Sequence, residues 1–106
     1  MDTAHMNSTN LETRGIESRS QTFAALSDPI RLRILDLLSA DQQCVCDLQE
    51  AIEIAPNLLS YHLRVLREAG LVAATRRGRW IDYELSSDSA RSVTDALPAA
   101  FRGVLS

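Results

Sequence analysis

The sequence predicts a mainly α-helical domain with a single β-hairpin, and three observations carry that prediction. Two short amphipathic patterns, 44–52 and 57–69, are separated by only a few residues. A period-two run at 80–85 follows a second short strand pattern and a glycine. Longer helical patterns flank both features. Two short helices joined by so brief a turn form a helix-turn-helix, and a hairpin directly after it forms a wing. The expected order is α-α-α-α-β-β-α, a winged helix-turn-helix.

Residues 1–13 read as a flexible, polar arm, and residues 14–106 as the folded domain. A first helix is expected over 14–26, with Ile16, Phe23 and Leu26 on one face. Asp28-Pro29 then supplies an N-cap acceptor and a proline at the first helical position. The next helix, 30–38, repeats apolar residues at 30, 34, 37 and 38 and belongs to the core. In the third, 44–52, Val45, Leu48 and Ile52 share a face. Pro56 starts the fourth, 57–69, and Gly70 ends it. Strands at 71–76 and 80–85 turn at Gly78, with Ile81, Tyr83 and Leu85 alternating against solvent-facing Trp80, Asp82 and Glu84. The last helix, 88–105, carries Ala90, Val93, Leu97, Ala100, Phe101 and Val104 on one stripe, and Pro98 is expected to kink or divide it. So small a domain leaves that stripe little to cover, which points to the same helix of a second chain.

With 106 residues there is room for one modest core, and 5% aromatic content means it is built from Leu, Ile, Val and Ala. A domain of this size buries roughly 60–70% of its unfolded surface, so further burial in an oligomer helps. No apolar run approaches the roughly 20 residues a membrane span needs, and the polar N-terminus has no signal-peptide core. Cys44 and Cys46 lie too close together to staple a secreted fold. A reduced, cytoplasmic setting is expected.

The net charge of −3 conceals its distribution. From Ala55 to Trp80 five arginines face one acid, a net +4, while the remainder carries six arginines and 13 acids. Every basic residue is arginine, whose planar fork suits phosphate and guanine. On the fourth helix Leu59, Leu63 and Leu66 turn inward, whereas Asn57, Ser60, Tyr61 and Arg64 form a polar stripe suited to a major groove. Arg67, Arg76, Arg77 and Arg79 complete the candidate interface with double-stranded DNA. Tyr61 has packing as its alternative role.

Cys44-Val45-Cys46-Asp47-Leu48, Leu26-Ser27-Asp28-Pro29-Ile30-Arg31, the run from Ser60 to Val72 and the wing from Arg77 to Tyr83 together resemble the ArsR/SmtB family of metal-sensing repressors. The resemblance covers about residues 20–90. It implies a homodimer, paired through its first and last helices on palindromic operator DNA and released by an inducer ion. It also implies a departure: the family's usual Ser-His-His or Ser-His-Gln reads Ser60-Tyr61-His62 here, so operator sequences do not transfer. Cys44 and Cys46 fall on the family's thiol site, and some arsenite sensors carry a third cysteine where Gln49 stands. Others borrow a ligand from the partner's arm, for which His5 and, more weakly, Asp2 are candidates. A second family site on the last helix is expected to be absent, because Asp88 and Asp95 have no histidine beside them.

Residues i and i+2 of a regular helix point to nearly opposite sides. Cys44 and Cys46 can therefore grip one ion together only if the first turn is extended or unwinds, which would tilt the helix that follows. Asp47 is a third, harder donor. Thiolates select Cd, Pb, Zn, Cu(I) or As(III); two of them with an imidazole or carboxylate favour a Cd- or Zn-like ion, since arsenite prefers a third sulfur. Small core residues, or a thiol-redox or persulfide pair, are the alternatives for the two cysteines. His62 reads as packed rather than ligating. No nucleophile–histidine–acid set or Gly-rich phosphate loop suggests an enzyme, and the basic wing argues against a protein-interaction module without DNA binding.

Overall fold

The computed structural model describes the backbone over residues 3–105 and the side chains over 15–103. Along it run α1 (Thr3–Leu26), α2 (Pro29–Ala40), β1 (Gln43–Cys44), α3 (Val45–Ala51), α4 (Pro56–Glu68), β2 (Val72–Arg77), β3 (Trp80–Leu85), α5 (Ser89–Ala96) and α6 (Ala99–Leu105). The expected winged helix-turn-helix order is present, with two differences and one division. Helix α1 begins at Thr3 rather than near residue 14. That stretch contains no proline and a single glycine, Gly15, so nothing halts propagation towards the N-terminus. The second difference is β1, two residues long and too short for any periodicity to reveal. The division falls at Pro98, where the last helical pattern separates into α5 and α6.

The helix ends are set by local chemistry. Asp28 caps α2, its Oδ2 accepting from the N–H groups of Ile30 (2.9 Å) and Arg31 (3.0 Å). The Arg31 N–H holds that carboxyl below the usual carboxylate range. Helix α4 stops in a Schellman arrangement: Leu71 N–H reaches Leu66 O and Gly70 N–H reaches Arg67 O, both at 3.0 Å, with Gly70 at φ +76°. That turn sends the chain directly into the wing.

Strand β3 is central in a three-stranded antiparallel sheet of order β1-β3-β2. Arg77 pairs with Trp80 across a two-residue turn. Gly78 at φ +63° followed by a residue of negative φ is the pattern of a type II′ turn, whose twist matches the strands it joins. The core is Ile34 and Leu38 of α2, Leu48 and Ile52 of α3 and its cap, Leu59, Leu63 and Leu66 of α4, with Ala25, Leu71, Val72 and Tyr83 closing it. Tyr83 is its one aromatic, in keeping with the composition.

Arg31 binds three helices together. Its Nε donates to Ala25 O (2.8 Å) and its Nη2 to Ala24 O (3.1 Å), satisfying carbonyls at the end of α1. Its Nη1 lies 2.9 Å from Nδ1 of buried His62 on α4. A guanidinium only donates, so Nδ1 accepts and the ring proton is assigned to Nε2. The expectation of a packed, hydrogen-bonded His62 is met, with a partner that sequence reading had not named. Replacing Arg31 with Ala leaves these acceptors unpaired and is expected to lower stability by about 2 kcal/mol, measured by urea unfolding.

Candidate nucleic-acid interface and thiol site

Helix α4 divides as its spacing dictates. Leu59, His62, Leu63 and Leu66 are buried. Asn57, Ser60, Tyr61, Arg64 and Arg67 are exposed. Tyr61 is 46% exposed, so its ring is not a core element. Its edge meets His62 with the centroids 5.2 Å apart, and the Arg64 guanidinium carbon lies 5.7 Å from the Tyr61 centroid. The pair presents an aromatic hydroxyl beside a cation on one surface, a cation–π arrangement. Arg76, Arg77 and Arg79 are exposed at the end of the hairpin.

Asp82 does not face solvent as its place in the alternation suggested; it is 4% exposed. The reason is β1. Cys44 pairs with Asp82 and Gln43 with Tyr83, which brings the Gln42 side chain, just before β1, onto that face. Gln42 Nε2 donates to Asp82 Oδ2 at 2.9 Å. Arg77 closes on the same carboxylate as a fork, Nε to Oδ2 at 2.7 Å and Nη2 to Oδ1 at 3.3 Å. Of the three wing arginines, Arg77 is thus already engaged within the protein. Glu84 is exposed, as expected. An acid on the strand that returns from the arginine-rich turn was the available signal for this cluster.

Cys44 ends β1 and is the N-cap of α3, with extended backbone (φ −77°, ψ 161°). The N–H of Asp47 donates to Cys44 Sγ (3.3 Å) and the N–H of Cys44 to Asp47 Oδ2 (3.4 Å), a capping box with sulfur in the usual hydroxyl position. Because Cys44 stands outside the helix, the i, i+2 obstacle disappears. The sulfurs of Cys44 and Cys46 converge, joined as a disulfide across a Cα–Cα distance of 5.3 Å. The two sulfurs and an Asp47 oxygen lie within 4.8 Å of one another. Only with the disulfide reduced would the pair offer two soft thiolate donors beside the hard carboxylate, a set of the kind that takes thiophilic divalent ions. Gln49 is occupied elsewhere, its amide donating to Ile54 O across the turn into α4. The side chain of His5 lies outside the described residues.

The hydrogen bonds from Arg77 hold the Asp82 carboxyl below the usual carboxylate range; burial opposes this, and the charge of Arg77 and the Gln42 amide assist it. A carboxyl with a lowered folded pKa contributes stability above its unfolded value of about 3.9 and loses it as pH falls through the folded value. The melting-temperature gap between wild type and Asp82→Asn should therefore be constant from about pH 5 to 8 and narrow only below about pH 4. Thermal melts across that range test this.

Residues 28–74 match the family model described as bacterial regulatory protein, arsR family. The chain is 37% identical over 84 residues to the arsenical resistance operon repressor of Bacillus subtilis, covering 77% of this chain and 80% of that one. It is 38% identical over 72 residues to a transcriptional repressor SmtB homologue of Synechocystis, covering 68% of this chain and 54% of that one. Among solved structures it resembles, with a TM-score of 0.71 and 27% identity, a homodimeric winged helix-turn-helix DNA-binding domain from Mycobacterium bovis described as a possible ArsR-family regulator, with 89% and 82% of the two chains covered. No described helix is long and apolar enough to cross a membrane. A chain with this fold, this exposed polar face on α4 and these relatives belongs to the ArsR family of helix-turn-helix transcriptional regulators, and it is a regulator rather than an enzyme.

Proposed function

We propose that this protein is a repressor that binds double-stranded operator DNA as a cytoplasmic homodimer and leaves it when a thiophilic ion occupies the Cys44/Cys46 site. The observation that carries the reading is the double role of Cys44, a sulfur donor that also caps the helix preceding the reading helix. A dithiol reductant first opens the disulfide to two thiols; an ion then displaces their protons and draws both thiolates onto one centre, so occupation of the site re-sets the first turn of α3. Leu48 and Ile52 lock α3 into the core, and Gln49 ties it to the turn before α4. Movement of that first turn therefore reaches the reading face.

In this reading Asn57, Ser60, Tyr61 and Arg64 meet base edges and phosphates, while Arg67, Arg76 and Arg79 add phosphate contacts. Cys44, Cys46 and Asp47 hold the ion, with His5, near the start of α1, as a further donor from the second chain. Cd(II), Zn(II) or Pb(II) suits this set better than As(III), since the described residues offer no third sulfur. Support for the dimer comes from exposed Ile16 and Phe23 on α1 and Phe101 on α6, apolar side chains that a partner would cover. The homodimeric relative adds to that support.

The paired sulfurs favour a second reading, a thiol-redox or persulfide-sensing repressor on the same scaffold. Under peroxide, two thiols would lose two protons and two electrons to form the disulfide while peroxide becomes two waters. Mass spectrometry after peroxide or persulfide treatment separates this route from ion binding.

Titrating the operator complex with Cd(II), Zn(II), Pb(II) and As(III) is expected to weaken DNA binding by about 5–150-fold with at least one divalent ion. The Cys44→Ser, Cys46→Ser double variant should stay bound. Release by no ion, or a normal response from the double variant, sinks the ion-sensing reading. Arg79→Ala is expected to lower operator affinity and reduce the log–log salt slope by about 0.9 for the lost phosphate contact. Unchanged affinity would remove the wing tip from the interface.

A further inference from the structure

The Arg77–Asp82–Gln42 cluster belongs neither to the reading face nor to the thiol donors, yet it borders both. Cys44 and Asp82 are direct partners across β1 and β3. Directly opposed residues of an antiparallel pair project from the same face with Cβ atoms roughly 4.5–5.5 Å apart. On its other side Asp82 pairs with Thr75 of β2, and from there Arg77, two residues on, reaches back diagonally to the carboxylate. Gln42, two residues before Cys44, holds the same oxygen. A carboxylate this buried depends on its partners, because a buried charge without one is strongly unfavourable. Any shift of β1 that carries Asp82 with it must therefore carry Arg77 or break the fork.

We propose that Asp82 is a positioning residue that couples the thiol site to the wing: it fixes Arg77, and through it the end of the hairpin, to the strand that carries Cys44. The proposal rests on the reading of Cys44 and Cys46 as the regulatory site and supplies its route to the wing. It also assigns Arg77 a different task from its neighbours. With Nε and Nη2 engaged on Asp82, Arg77 braces the hairpin, and Arg76 and Arg79 are left to meet phosphate.

Trp80, the single tryptophan of the chain, pairs with Arg77 and is 49% exposed, so its emission reports on the wing without DNA present. Cd(II) is titrated into the reduced full-length protein, with thiolate-to-cadmium absorption reporting loading and Trp80 emission reporting the hairpin. Wild type should show both signals. Asp82→Asn should keep the absorption and lose most of the Trp80 change. Arg77→Ala, with its fold checked by circular dichroism because it leaves the Asp82 carboxylate without its main partner, should do the same, and the double variant should lose no more than either. The mutual opposition of Cd(II) and operator, about 5–150-fold in wild type, should shrink to the same smaller value in all three, the remainder passing through α3 to α4. A Trp80 change in Asp82→Asn and Arg77→Ala equal to wild type overturns the proposal, as does a wild type that loads Cd(II) with no change at Trp80. If wild type shows no thiolate absorption, the ion-sensing reading itself fails and takes this proposal with it; the missing absorption band distinguishes that failure from the other two.

Discussion

Cys44 is at once the last residue of a strand and the first capping group of a helix, and the rest of the molecule is arranged around that junction. As a strand residue it pairs with Asp82 and ties the helical body to the hairpin. As a cap its sulfur receives the N–H of Asp47 and fixes where α3 begins. Were α3 to start one residue earlier, Cys44 and Cys46 would point to opposite sides and no shared chemistry would remain. The extended backbone of a single residue therefore sets both the thiol geometry and the register of the sheet.

The reading helix is held from behind by a different kind of contact. Arg31 spans the end of α1 and the buried face of α4 through His62, with Asp28 fixing the start of the helix on which Arg31 sits. Apolar packing alone leaves a helix some freedom to rotate or slide, because dispersion contacts are weakly directional. A guanidinium bound to two carbonyls and an imidazole is directional. Helix α4 is thus held by close-packed leucines and, through His62, by a directional polar pin.

Much of this was legible in the residues. The prolines at 29, 56 and 98 and the glycines at 70 and 78 punctuate the chain where the elements start and stop, because their backbone restrictions act locally. The two faces of α4 follow from its periodicity. What local pattern could not supply was anything requiring two distant segments: the pairing of Gln43–Cys44 with β3, the burial of Asp82 that follows from it, and the Arg31–His62 contact across 31 positions. The thiol site was legible by residue type but not by shape, since helix geometry argued against convergence until the N-cap position of Cys44 was known. The early start of α1 was missed because a polar stretch lacks the apolar rhythm by which helices are recognised.

One compositional feature of the proposed DNA interface limits how it can be controlled. All of its cations are guanidinium groups, and the chain contains no lysine. Acetyl transfer to a lysine amine has no target here. Lysine acylation cannot switch this surface off. A signal that weakens its hold on phosphate can relocate the arginines, shield them with salt, or set an acid against them, but it cannot neutralise them. Control by geometry is the course such a surface leaves open.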